Sequence, residues 1–118
     1  MTELSAQGRY KDALPFAEKA LSLSERDFGP HHPATANILI YVAGVYEALH
    51  RHHTAEPLYK RALAIREKAL GPEHPSVATS LENYAALLRK TERSGDATKM
   101  EARAQAIRAK HAEQNPTK

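Results

Sequence analysis

Apolar residues recur along this chain at intervals of three and four. Wound at helical pitch, Ala55, Leu58, Tyr59, Ala62, Leu63, Ile65 and Leu70 form one broad stripe. Ala78, Leu81, Tyr84, Ala85 and Leu88 form a second. The period-two alternation and β-branched enrichment of strands are missing. Gly29-Pro30 and Gly71-Pro72 punctuate the pattern, since glycine accepts a left-handed helix end and proline cannot continue the hydrogen-bond ladder. Pro33 and Pro75 then fall in a first helical turn, where a missing donor is harmless, with His74 or Ser76 as the cap. Pro15 and Pro57 fall near the first turns of their own helices. The pattern predicts five helices, at about 9–28, 34–49, 52–70, 76–91 and 95–113, with 114–118 a disordered tail.

The pattern also repeats. A shift of 42 residues lays Gly8–Leu49 over His50–Thr91 and matches Arg9/Arg51, Ala13/Ala55, Pro15/Pro57, Ala20/Ala62, Leu21/Leu63 and Glu25/Glu67. Beyond these, the string Gly29-Pro30-x-His32-Pro33 matches Gly71-Pro72-x-His74-Pro75, and Ala36, Leu39 and Ala43 match Ala78, Leu81 and Ala85. A decayed third copy places Ala97, Ala104 and Ile107 in step with Ala55, Ala62 and Ile65. Helix pairs in tandem repeats predict an all-α fold, an α-solenoid of antiparallel helices. A closed four-helix bundle is the alternative, but it needs no repeat.

Composition narrows the class. At 118 residues, with 26% charged and 42% hydrophobic residues, the chain is one globular unit without a disulfide framework or thiolate chemistry, since it has no Cys. No apolar run reaches the ~18 residues needed to cross a bilayer, and residues 1–30 carry no signal-peptide pattern. A net charge of +3 is too mild to argue for nucleic acid. The reading is therefore no membrane, no nucleic acid and a cytoplasmic setting.

The string Ala55-Glu56-Pro57-Leu58-Tyr59-Lys60-Arg61-Ala62-Leu63-Ala64-Ile65-Arg66-Glu67-Lys68, followed by Gly71-Pro72-Glu73-His74-Pro75-Ser76-Val77-Ala78-Thr79-Ser80-Leu81, resembles the tetratricopeptide repeat of the 42-residue, kinesin-light-chain-like type. The resemblance implies that Ala43 and Ala85 sit where paired helices approach closely, and that Ala55, Ala62, Ala97 and Ala104 are the small positions of second helices. It also implies an inter-helix glycine where His50 stands and an aromatic where His52 stands, supplied in the first copy by Gly8 and Tyr10. That second turn is expected to be the less stable one. Residues 1–7 would be the last turn of a first helix, so the chain opens in mid-repeat: a single domain over 1–113, with half a repeat at 1–28 and pairs at 34–70 and 76–113. This arrangement resembles the C-terminal portion of a bacterial repeat protein, with Lys99, Glu101 and Gln105 making a polar closing helix and a true C-terminus. The lone helix 9–28 would leave an apolar edge at Tyr10, Ala13, Leu14 and Ala17, open to self-association as a homo-oligomer.

In this family the first helix of each pair lines a concave groove that binds extended or helical peptides. By helical phase the resemblance assigns that groove Asn37, Ile40, Tyr41, Gly44, Glu47, Thr79, Glu82, Asn83, Ala86, Arg89 and Lys90. Asn amides can pair with both groups of a peptide backbone, and Arg89 and Lys90 would favour acidic ligand residues. Ile40 and Tyr41 either seat an apolar side chain or pack on neighbouring helices.

Catalytic signatures are missing: no phosphate loop, no nucleophile elbow and no His-Glu-x-x-His. His50-Arg51-His52-His53 could place His50 and His53 one helical turn apart for zinc or nickel, but no carboxylate or Cys of ligand spacing accompanies them. Surface histidines and no metal or other cofactor are expected. His32 and His74 belong to the repeated turn and read as structural. Glu25, Glu67, Lys60, Arg61 and Lys68 read as solvated faces, with Glu56–Lys60 an i,i+4 pair. The chain thus reads as no enzyme but a protein- or peptide-binding module, with a self-assembling structural element as the alternative.

Overall fold

The computed structural model describes residues 3–114. Five α-helices follow in order: α1 (Glu3–Phe28), α2 (Pro33–Ala48), α3 (His52–Leu70), α4 (Pro75–Lys90) and α5 (Ser94–Gln114). Each packs on the next, whereas α1 shares no substantial contact with α4 or α5, so no closed bundle forms. The Cα radius of gyration is 15.3 Å, above the about 13.5 Å of a compact globule of this length. The molecule is an α-solenoid.

The bounds of α2 to α5 fall within a residue of the expected ones. α1 is the exception. Instead of ending a first helix and turning at Gly8, the backbone runs as one helix from Glu3 through Gly8 to Phe28. Among the described residues no helix precedes α1 for a turn to return from, so local propensity carries the helix through the glycine at a cost of about 1 kcal/mol. The tail beyond Gln114, like Met1 and Thr2, lies outside the described residues.

The core repeats as the sequence does. Ala36 and Leu39 of α2 pack with Ala62 and Ile65 of α3. One repeat later, Ala78 and Leu81 of α4 pack with Ala104 and Ile107 of α5. Ala43, Ala55, Ala85 and Ala97 are fully buried between these layers and let the helices approach. Each buried Leu or Ile contributes about 1.5–3 kcal/mol.

The turns repeat as well. Gly29 and Gly71 end their helices at φ 99° and 94°, a region costly for any side chain. At the next helix start, the Nδ1 of His32 accepts the Ala34 N–H at 2.9 Å and that of His74 accepts the Ser76 N–H at 3.0 Å. His74, not Ser76, is thus the cap. Within the helix pairs, His50 and Glu92 take the left-handed conformation themselves, at φ 61° and 62°. They stand 42 residues apart, in register with Gly8, which is helical. His50 therefore lies outside α3, and the His50/His53 spacing on one helix turn is not formed; the His50 ring instead meets that of His52 edge-on at 6.1 Å.

Two ion pairs correct the solvated-face reading. Arg61 reaches Glu25 at 2.6 Å and the Pro30 carbonyl at 3.0 Å. Arg103 reaches Glu67 at 2.6 Å and the Pro72 carbonyl at 3.5 Å. Both tie the second helix of one repeat to the second helix and closing turn of the repeat before, a contact across 36 residues that one helical wheel does not display.

Candidate functional site

α2 and α4, the first helices of successive repeats, line one face together, and Arg66 of α3 joins them from beneath. It is buried, at 9% exposure. One terminal nitrogen donates to the Ser76 carbonyl and the Ser80 hydroxyl, both at 3.0 Å, and the other to the Asn37 side-chain oxygen at 2.6 Å. All three acceptors are neutral, and burial alone pushes the guanidinium pKa down. At the far end of the face Glu47 accepts the Tyr59 hydroxyl at 2.8 Å and pairs with Lys90. Burial, then that hydrogen bond, raises the Tyr59 pKa. Tyr41 stands between the two ends, 54% exposed. A Cβ built on Gly44 would lie an ordinary 3.9 Å from the Tyr59 hydroxyl, so the floor there is closed by a side chain of α3.

The residues assigned to the groove by phase therefore divide. Asn37, Tyr41, Ala86 and Lys90 are exposed, and Gly44, Glu47 and Asn83 half-buried, on the two helices that flank Arg66. Ile40 packs against the core beside Leu58. Thr79, Glu82 and Arg89 turn to α5: Arg108 holds Glu82 through two bonds of 3.0 and 2.7 Å and Thr79 at 3.1 Å. Arg89 pairs with Glu101 and reaches Thr98. Arg89 and Lys90 are thus occupied within the chain, and the cation facing neutral partners is Arg66. That residue was not legible as a site because it lies beside Ile65 on the buried side of α3, and its counterpart one repeat earlier is Ser24, which bonds Thr35 at 2.9 Å.

The edge residues divide too. Ala17 is buried against Val42 and Val45, and Leu14 packs on the same cluster, so both face α2 rather than the open side. Tyr10 is exposed and Ala13 half-buried. Among the described side chains of α1, Phe16 and Leu23 join Tyr10 and Phe28 as the exposed large apolar ones.

Glu82, Glu101 and Glu56 are all held below the ordinary carboxylate range, and Glu56, the one shifted far, is part of the scaffold. Arg93 grips Glu56 at 2.5 and 3.0 Å, Tyr84 donates to it at 2.8 Å and Lys60 lies 3.7 Å away. These hydrogen bonds, Arg93's first, hold the Glu56 pKa down at about 2 against the opposing effect of burial. Burial first, and then the bond to Glu56, push the Tyr84 hydroxyl up to about 12. Among the described residues no three His, Cys, Asp or Glu stand together to hold a metal ion. No described helix is long and apolar enough to cross a membrane.

The fold and sequence have relatives. BtubC (BKLC) from P. vanneervenii superposes with a TM-score of 0.81 at 28% identity, over 87% of this chain and 41% of that one. A Podosopora anserina protein with nearly identical TPR-like repeats, described as a kinesin light chain, superposes with a TM-score of 0.81 at 23% identity, over 92% of this chain and 53% of that one. The chain thus spans about half the length of these proteins or less. No curated protein is a significant match. Residues 4–67 and 36–110 match the tetratricopeptide repeat model, and with paired helices, repeated turns and repeated core layers in place, this chain belongs to the tetratricopeptide repeat family.

Proposed function

We infer that this single solenoid unit is a non-catalytic module that holds a peptide segment or partner helix along the α2–α4 face. Tetratricopeptide repeats mediate protein–protein interaction, and nothing in the chemistry above competes with that role. The observation that carries the finer reading is Arg66. A buried cation satisfied by neutral oxygens alone retains an attraction for an acidic group, and it reaches the exposed face through Asn37. The ligand this favours is a segment with a carboxylate over Asn37 and Arg66 and an apolar side chain against Tyr41. The other arginines with partners on neighbouring helices, Arg61, Arg89, Arg93, Arg103 and Arg108, are each paired with a glutamate. That pairing disfavours a phosphate-binding stripe.

A phage-displayed peptide library selected against the wild-type chain and against Tyr41→Ala/Asn83→Ala tests this reading. Enrichment of acidic peptides by the wild type, lost in the variant, supports it. Identical enrichment by both, or none by either, overturns it.

A further inference from the structure

α1 carries an exposed seam that its copies do not. Phe16 is 75% exposed and Leu23 38%, with half-buried Ala13 before Phe16 and half-buried Ala20 between the two. The counterparts one repeat later, Ala55, Leu58, Ala62 and Ile65, are covered by α2; those after that, Ala97, Met100, Ala104 and Ile107, are covered by α4. Extended by one position each way, the seam reads Arg9, Ala13, Phe16, Ala20, Leu23 and Asp27, with alternating spacings of four and three. That is the period of a two-helix contact.

The seam is complementary to itself when reversed. Laid antiparallel on a second α1 about a twofold axis beside residue 18, Phe16 meets Ala20 of the second copy and Ala13 meets Leu23. Every large side chain then faces a small one. At the ends Arg9 meets Asp27 of the second copy, and along the flank Asp12 meets Arg26. A twofold contact needs this kind of self-matching patch. Within the single chain Asp27 pairs with its exposed neighbour Arg26 at 3.1 Å, a pairing worth little. We propose that a second copy of this chain docks antiparallel on α1 through this seam and covers the face that α2 and α4 cover on the other second helices. The proposal is independent of ligand binding at α2–α4.

Sedimentation velocity on the full chain tests it, with circular dichroism to verify that each variant is folded. The wild type is expected to be a dimer and Phe16→Glu a monomer. Because the twofold makes the Arg9–Asp27 contact twice, Arg9→Asp and Asp27→Arg each turn two charge contacts repulsive and weaken the dimer about a hundredfold, about tenfold for each contact, and Arg9→Asp/Asp27→Arg together restore it to within about threefold. Because the chain has no Cys, Lys19→Cys next to the twofold should form an intermolecular disulfide and Lys11→Cys, on the far side of α1, should not. A monomeric wild type, as when the seam serves a first helix from another repeat, overturns the proposal. So does a dimer indifferent to Phe16→Glu, or a charge exchange that fails to restore association.

Discussion

Leu23 of α1 and Ile65 of α3 hold the same place in the 42-residue repeat, yet Leu23 is 38% exposed and Ile65 4%. Phe16 and Leu58 differ in the same sense: Phe16 is largely exposed, whereas Leu58 packs against Ala36, Leu39 and Ile65. Both helices are amphipathic in the same register, and both pack forward on the next first helix. Among the described residues a first helix, α2, lies behind α3 and none lies behind α1. Periodicity thus sets which side of a helix can be buried, and the neighbour decides whether it is. The same contrast holds at the turns. Where two helices must reverse direction, His50 and Glu92 adopt the left-handed conformation, while Gly8, the residue best suited to it, lies unused within α1.

The largest effect that would break this comparison is at the core. Ile65→Ala should cost about 3 kcal/mol of stability, and Leu23→Ala, at the matching position, less than about 1 kcal/mol in the monomer. Urea unfolding of dilute protein measures both, and equal losses would show that α1 is covered as fully as α3.

A second difference appears in acid. Glu56 of α3 has its pKa lowered from 4.5 to about 2, and the matching residue of α1 is Leu14. A depressed carboxylate stabilises the fold above its ordinary pKa, and that contribution is lost as pH falls from about 4.5 to about 2. Thermal unfolding between those pH values should fall less steeply in Glu56→Gln than in the wild type. Hydrogen exchange should show acid loosening first between α3, α4 and the Arg93 turn, and later at α1.

Smaller effects test whether the two copies of the turn are equivalent. His32→Ala and His74→Ala should each cost about 1 kcal/mol, the usual loss of a helix cap, and by similar amounts. Unequal losses would mean that the shared hydrogen bond does not carry the same weight in both repeats. Smallest are the glycine exchanges. Gly8→Ala should stabilise α1 by up to about 1 kcal/mol, since no heavy atom lies within 4 Å of the added Cβ. His50→Gly should gain about 0.5 kcal/mol by relieving a left-handed side chain, and a calorimetric scan of the two variants measures both.

Much of this was written in one dimension. The apolar stripes, the Gly-Pro stops and the His-Pro starts placed α2 to α5 to within a residue, because helix ends are decided by local chemistry. The 42-residue repeat carried the solenoid and the family. What phase did not reveal was occupancy. Glu25 and Glu67 face solvent on a helical wheel, but each meets an arginine one repeat on. Thr79, Glu82 and Arg89 point outward from α4 and are claimed by α5. Arg66 has no distinction along the chain, since its burial and its neutral partners come from α2 and α4 together.

The sequence by itself determined the helices, their order, the turns after α1 and the side of each helix that is apolar, because those depend on residues within about four positions of one another, whereas the turn expected at Gly8 did not form. Only the tertiary structure decided which charged groups are spent inside the chain, which buried cation is held by neutral oxygens beneath the α2–α4 face, and which apolar seam no described helix covers. Those outcomes turn on distances between residues one repeat or more apart, and helix crossing, not spacing along the chain, sets them.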